Sequence, residues 1–100
     1  MRNGEIKLPP DFQKDIQRAV EILKESGCTD VFLFGSLQEG KIREGSDIDI
    51  AIRGCPRGKF FYIFGKLLLA LNHSIDLVNL DNQDAFTRYL EKEGRLLQIG

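Results

Sequence analysis

One hundred residues, 42% of them apolar and 29% charged, support one domain (1–100) around one modest core and exclude a disordered chain. A formal charge of −1 excludes a general basic field, so direct nucleic-acid binding is not expected and any phosphate recognition has to be local. Cys28 and Cys55 lie far apart, with no CxxC and no histidine cluster. They read as two reduced thiols of a cytoplasmic protein, with a disulfide or a metal role as the alternatives. The N-terminus has no apolar export core. The longest apolar stretch, Phe60 to Leu71, is broken by Lys66 and falls short of the roughly 20 residues of a membrane span.

In chain order, Pro9-Pro10-Asp11 starts a helix on which Phe12, Ile16, Ala19, Val20 and Leu23 recur at helical spacing, and Gly27 ends it. Val31 to Phe34 is a short apolar strand, expected to be central and covered on both faces. A brief helical turn is expected from Ser36 to about Gln38, then a polar loop from Lys41 to Gly45. Asp47 to Arg53 is a second strand and Gly54 to Gly58 a turn. A helix follows from about Lys59 to Asn72. Phe60, Ile63, Phe64, Leu67 and Leu71 form its buried face, and Phe61, Tyr62, Leu68 and Leu69 add apolar surface elsewhere. Such a helix is either deeply buried or covered by a partner. Ser74 to Leu80 alternates as a third strand, with His73 at the surface before it. Asp81 or Asn82 caps a last helix through Glu93, with Phe86, Tyr89 and Leu90 inward, and residues 95–100 trail off. The order α-β-α-β-α-β-α describes a mixed α/β domain, a small sheet flanked by helices.

The chemistry concentrates between residues 35 and 50. Gly35-Ser36 directly follows the apolar run, and a glycine there permits a sharp turn and close approach to a ligand. Asp47 and Asp49 alternate with Ile48, Ile50 and Ile52, so both carboxylates share one face, roughly 6–7 Å apart. At an effective dielectric near 20 they repel by about 2–3 kcal/mol, a cost that a bound Mg²⁺ would convert into a site. Asp76, set among Ile75, Leu77 and Val78, is expensive to ionise unless paired or metal-bound. Three acids meeting beside a phosphate-binding turn would meet the requirement of two-metal phosphoryl or nucleotidyl transfer.

Gly35-Ser36, Gly40 and Ser46-Asp47-Ile48-Asp49-Ile50 together resemble the GS…G…SDxDL signature of the polymerase-β-like nucleotidyltransferase superfamily, and most of all its minimal nucleotidyltransferases (MNT). The resemblance implies a small mixed sheet backed by helices that binds a nucleoside triphosphate, ATP by preference, with two Mg²⁺ ions. Gly35 and Ser36 would hold the β- and γ-phosphates, with Ser46 and Arg43 also at the nucleotide. Asp47, Asp49 and Asp76 would be the catalytic and metal-binding acids, and Asp76 would help to deprotonate the attacking hydroxyl. Family members commonly read GSxARG, where this chain has Gln38 and Glu39. Lys41, Arg53 and Lys59 stand as candidates for compensating charge.

At this length no second, acceptor-gripping domain is expected beside the first. Proteins of the resembled type act as antitoxins of HEPN-domain toxins, and some transfer AMP to them. The implied function is transfer of AMP from ATP to a HEPN-type partner. The alternative is a nucleotide-binding antitoxin that neutralises its partner by contact alone. The sequence leaves a homo-oligomer open, as it does a purely structural domain with wet strand faces.

Overall fold

The computed structural model describes residues 9–35, 47–93 and 96–100. Helix α1 (Pro10–Glu25) begins with Pro10 where no backbone donor is needed. It ends in a Schellman arrangement: Gly27 adopts φ +102°, its N–H donates to Lys24, and the Cys28 N–H donates to Leu23. Strand β1 (Asp30–Leu33) runs antiparallel to β2 (Ile48–Arg53). Helix α2 (Phe60–Ala70) then carries the chain to β3 (Ile75–Asn79), which lies parallel to β2. A 3-10 turn (Leu80–Asn82), helix α3 (Ala85–Glu93) and strand β4 (Leu97–Gln98) follow. The sheet has four strands in the order β3-β2-β1-β4. This is a mixed sheet between helices, as the sequence predicts.

Alternation along the strands assigns each face its helices. Ile48, Ile50, Ile52, Ile75 and Leu77 point to one side and pack against Phe12, Ala19, Ile22 and Leu23 of α1 and Ile63 and Leu67 of α2. Ala51, Phe34 and Leu80 form a smaller core on the other side with Leu90 of α3. β1 is therefore interior to the sheet and contacted on both faces.

Several expectations need correction. The two cysteines are not free thiols; Cys28 and Cys55 form a disulfide. The reason is register: Asp30 pairs with Arg53, and continuing that antiparallel ladder outward puts position 28 opposite 55. The C-terminal residues do not trail off. Leu97 and Gln98 pair with Leu33 and Phe32, and Gly100 exchanges backbone hydrogen bonds with Val31. A two-residue strand is too short to show alternation.

Helix α3 starts later than expected, and its cap is Asp84, whose carboxylate accepts from the Thr87 N–H at 2.9 Å. The carboxylate of Asp81 accepts from the Gly54 N–H instead. The buried residues of this helix are Thr87 and Leu90, while Phe86 and Tyr89 are exposed, contrary to the inward placement expected for them. His73 is no loose surface residue. Its Nδ1 lies 2.6 Å from Asp15, its Nε2 lies 3.2 Å from Asp11, and its ring stacks on Phe12. Asp15 is buried and also accepts the backbone N–H groups of Asn72 and His73, tying α1 to the entry of β3.

Candidate active site

Register decides where the acids meet. In the parallel β2–β3 pair, Asp49 stands directly opposite Asp76. Their neighbours Ile48, Ile50, Ile75 and Leu77 are drawn into the core under α1 and α2, so both aspartates point to the α3 side. On that face Ala51 is fully buried, Asp49 half-buried and Asp76 exposed. Exposure of Asp76 corrects the expectation that an apolar setting makes its charge costly; what marks it is its place beside Asp49. Asp47 sits exposed just before β2.

Asp49 records this crowding. Burial first, then the Asp76 carboxylate, then that of Asp47, push its pKa up from an ordinary 3.8 to about 6. Ionising it near neutral pH works against desolvation and two like charges, the condition that a bound divalent cation relieves. Among the described residues, no three histidine, cysteine or carboxylate side chains are gathered closely enough to hold a metal as they stand. An all-oxygen set of carboxylates fits Mg²⁺ in kind.

Gly35 lies against this cluster. After β1, the Phe34 N–H donates to the Asp49 carbonyl at 3.1 Å, and Gly35 turns the chain with φ +75°. A side chain at position 35 would collide with Asp49 Oδ2 and come within 3.1 Å of its Cγ. Glycine is required here twice, by the backbone conformation and by the approach to a carboxylate. Of the other sequence-derived site residues, Ser36, Arg43 and Ser46 lie outside the described residues, as do Gln38, Glu39, Gly40 and Lys41 and the expected turn and loop around them.

Two proposed compensating cations are placed elsewhere. Arg53 ends β2, where it pairs with Glu91 of α3 and covers the ring of Phe32, roughly 13 Å along the strand from Asp49. Lys59 precedes α2, with its Nζ 5.7 Å from the Tyr62 ring centre. A cavity of about 540 Å³ also lies at that far end, lined by Arg57, Phe60, Asn79 and Asp81 among others, away from the acids.

The family described as Polymerase beta, Nucleotidyltransferase matches residues 11–99. The chain belongs to that nucleotidyltransferase family. Comparison with curated protein sequences finds no match. Solved structures share its fold, which is that of a minimal nucleotidyltransferase. One described as a minimal nucleotidyltransferase superposes with a TM-score of 0.66 at 19% identity, over 89% of this chain and 91% of that one. A toxin–antitoxin complex with AMP-PNP gives 0.64 at 24% identity, over 86% and 70%. A tri-AMPylated Shewanella oneidensis HEPN toxin in complex with its MNT antitoxin gives 0.60 at 22%, over 86% and 69%.

Proposed function

We propose that this chain transfers a nucleoside monophosphate, AMP from ATP, to a protein acceptor, and that the acceptor is a HEPN-domain toxin that it neutralises. The observation that carries the reading is Asp49 in register with Asp76, with the backbone of Gly35 against the Asp49 carboxylate. Family membership supports nucleotidyl transfer. The AMP-PNP and AMPylated HEPN toxin found with similar folds support the nucleotide and the acceptor.

In this reading Gly35 and Ser36 receive the β- and γ-phosphates, their lack of bulk and their backbone donors allowing close approach, while Ser46 and Arg43 steady the triphosphate. Asp47, Asp49 and Asp76 would hold Mg²⁺, two ions in the full site, which when bound supplies the positive charge that offsets the triphosphate and the departing pyrophosphate. Asp76, open to solvent, takes the proton of the attacking hydroxyl. Asp49 stays in place, held by the strand pairing on either side of it. The protein's part is mostly positioning.

The test is incubation with radiolabelled ATP, Mg²⁺ and a HEPN-domain partner. Label should appear on the partner, and Asp49→Asn or Asp76→Asn should lower the rate at least a hundredfold. Undiminished transfer by both variants would defeat the proposal.

A second reading, neutralisation by contact alone, draws on Arg53 and Lys59 being engaged away from the acids and on Glu39 where relatives carry arginine. It predicts that an Asp47→Asn, Asp49→Asn variant still neutralises the toxin.

A further inference from the structure

Helix α2 leaves an apolar face open. Phe61 is 82% exposed, Tyr62 64%, Leu68 52% and Leu69 91%. These four residues stand at −4, −3, +3 and +4 from Gly65, so they ring it on one face of the helix. A side chain at position 65 would meet nothing within 4 Å, and its backbone is ordinary helix. Glycine in a helix interior forfeits stability relative to almost any other residue. Neither a left-handed conformation nor a close internal contact accounts for it here. What it creates is a notch, one residue wide, bordered by two aromatic and two leucine side chains.

The rim of this notch is cationic on its Tyr62 side, while Arg18 and Glu25 of α1 border it beside Lys66 and Leu69. Between Gly54 and Ile75 the chain carries Arg57, Lys59 and Lys66 and no carboxylate, although its net charge is −1. The Nζ atoms of Lys59 and Lys66 both lie within 6 Å of the Tyr62 ring centre, on the border of the apolar ring. We propose that α2 is a docking helix whose Gly65 notch accepts one large apolar side chain from a helix of the HEPN-domain partner, with carboxylates of that helix facing Lys59 and Lys66. This rests on the partnership proposed above and assigns it a surface. A second copy of this chain fits worse. Two such faces crossing about Gly65 would bring the two Lys66 side chains near each other, like charge against like.

Gly65→Leu separates the docking role from a structural one. The new side chain points into open space and improves helix propensity, so the melting temperature should rise by several degrees. It also fills the notch, and the dissociation constant for the HEPN-domain protein, measured by titration calorimetry, should rise at least tenfold. Lys66→Glu should weaken binding several-fold and flatten its dependence on salt. Wild-type affinity in Gly65→Leu would overturn the docking surface while leaving nucleotidyl transfer to that partner standing. Failure of the unsubstituted chain to bind the HEPN-domain protein would overturn both. Self-association abolished by Gly65→Leu, with HEPN binding intact, would give the notch to a second copy and overturn the assignment.

Discussion

Beneath α1 and α2, the side chains of Ile48, Ile50, Ile52, Ile75 and Leu77 are withdrawn from solvent, whereas on the α3 side the same two strands leave Asp49 half-exposed and Asp76 open. The first face is closed by two helices and carries most of the core. The second is closed by the short α3 around Ala51, Phe34, Leu80 and Leu90, and its cover thins toward Asp49. A sheet with one well-packed face can tolerate mutual repulsion on the other. Charge costs are confined to the incompletely covered end, where a ligand can offset them.

The contrast breaks most sharply under substitution on the closed side. Ile50→Ala should cost about 3 kcal/mol by urea denaturation, because it leaves a cavity in a fully buried site. Asp76→Asn should stay within about 0.5 kcal/mol of the parent. Comparable losses would show that the acid-bearing face shares in the packing.

Reducing the Cys28–Cys55 disulfide, whose partners are 27 positions apart, should cost about 3 kcal/mol. Since it fastens β1 to β2 at the end away from Asp49, nucleotide affinity measured at a temperature where the reduced chain is folded should be unchanged. Gly35→Ala strikes the open end. Its Cβ has to displace the Asp49 carboxylate in a left-handed backbone, for a cost of about 1–3 kcal/mol together with a marked loss of nucleotide affinity.

The most diagnostic effect is a dependence on pH. Below pH 3.8, native and unfolded chains both keep the Asp49 proton, and the residue has no net influence. Between 3.8 and about 6 the unfolded chain ionises freely while the native chain resists, so native stability declines relative to Asp49→Asn as pH rises. Asp49→Asn should therefore leave the melting temperature unchanged near pH 3.5 and raise it above pH 6. Added Mg²⁺ should shrink that gain by stabilising the parent.

How far the residues foretold this arrangement depended on the range of the signal. Local patterns carried the helices and the three longer strands, because periodicity and the Pro and Gly signals act within a few positions. The alternation DIDIAI correctly put Ile48, Ile50 and Ile52 opposite Asp49. Register carried what the sequence could not show. Convergence of Asp49 and Asp76 is legible but their pairing is not, and the widely spaced Cys28 and Cys55 read as free thiols, although one antiparallel ladder extended by two residues joins them. The role of Asp15 is not legible, because a carboxylate on the buried stripe of α1 looks like a break in the pattern. Its partners, His73 and the 72–73 backbone, lie far along the chain. Arg53 was legible as a cation but not as one already held by Glu91.

Residues 97–100 have a practical corollary. Val31 gives its N–H to the Gly100 carbonyl, and Gln98 anchors to Asp30. Trimming the protein after residue 96 would strip the outer rim of β1 and leave a bare hydrogen-bonding edge beside apolar side chains. Such an edge recruits strands from other molecules. Shortened versions should therefore precipitate or oligomerise on expression.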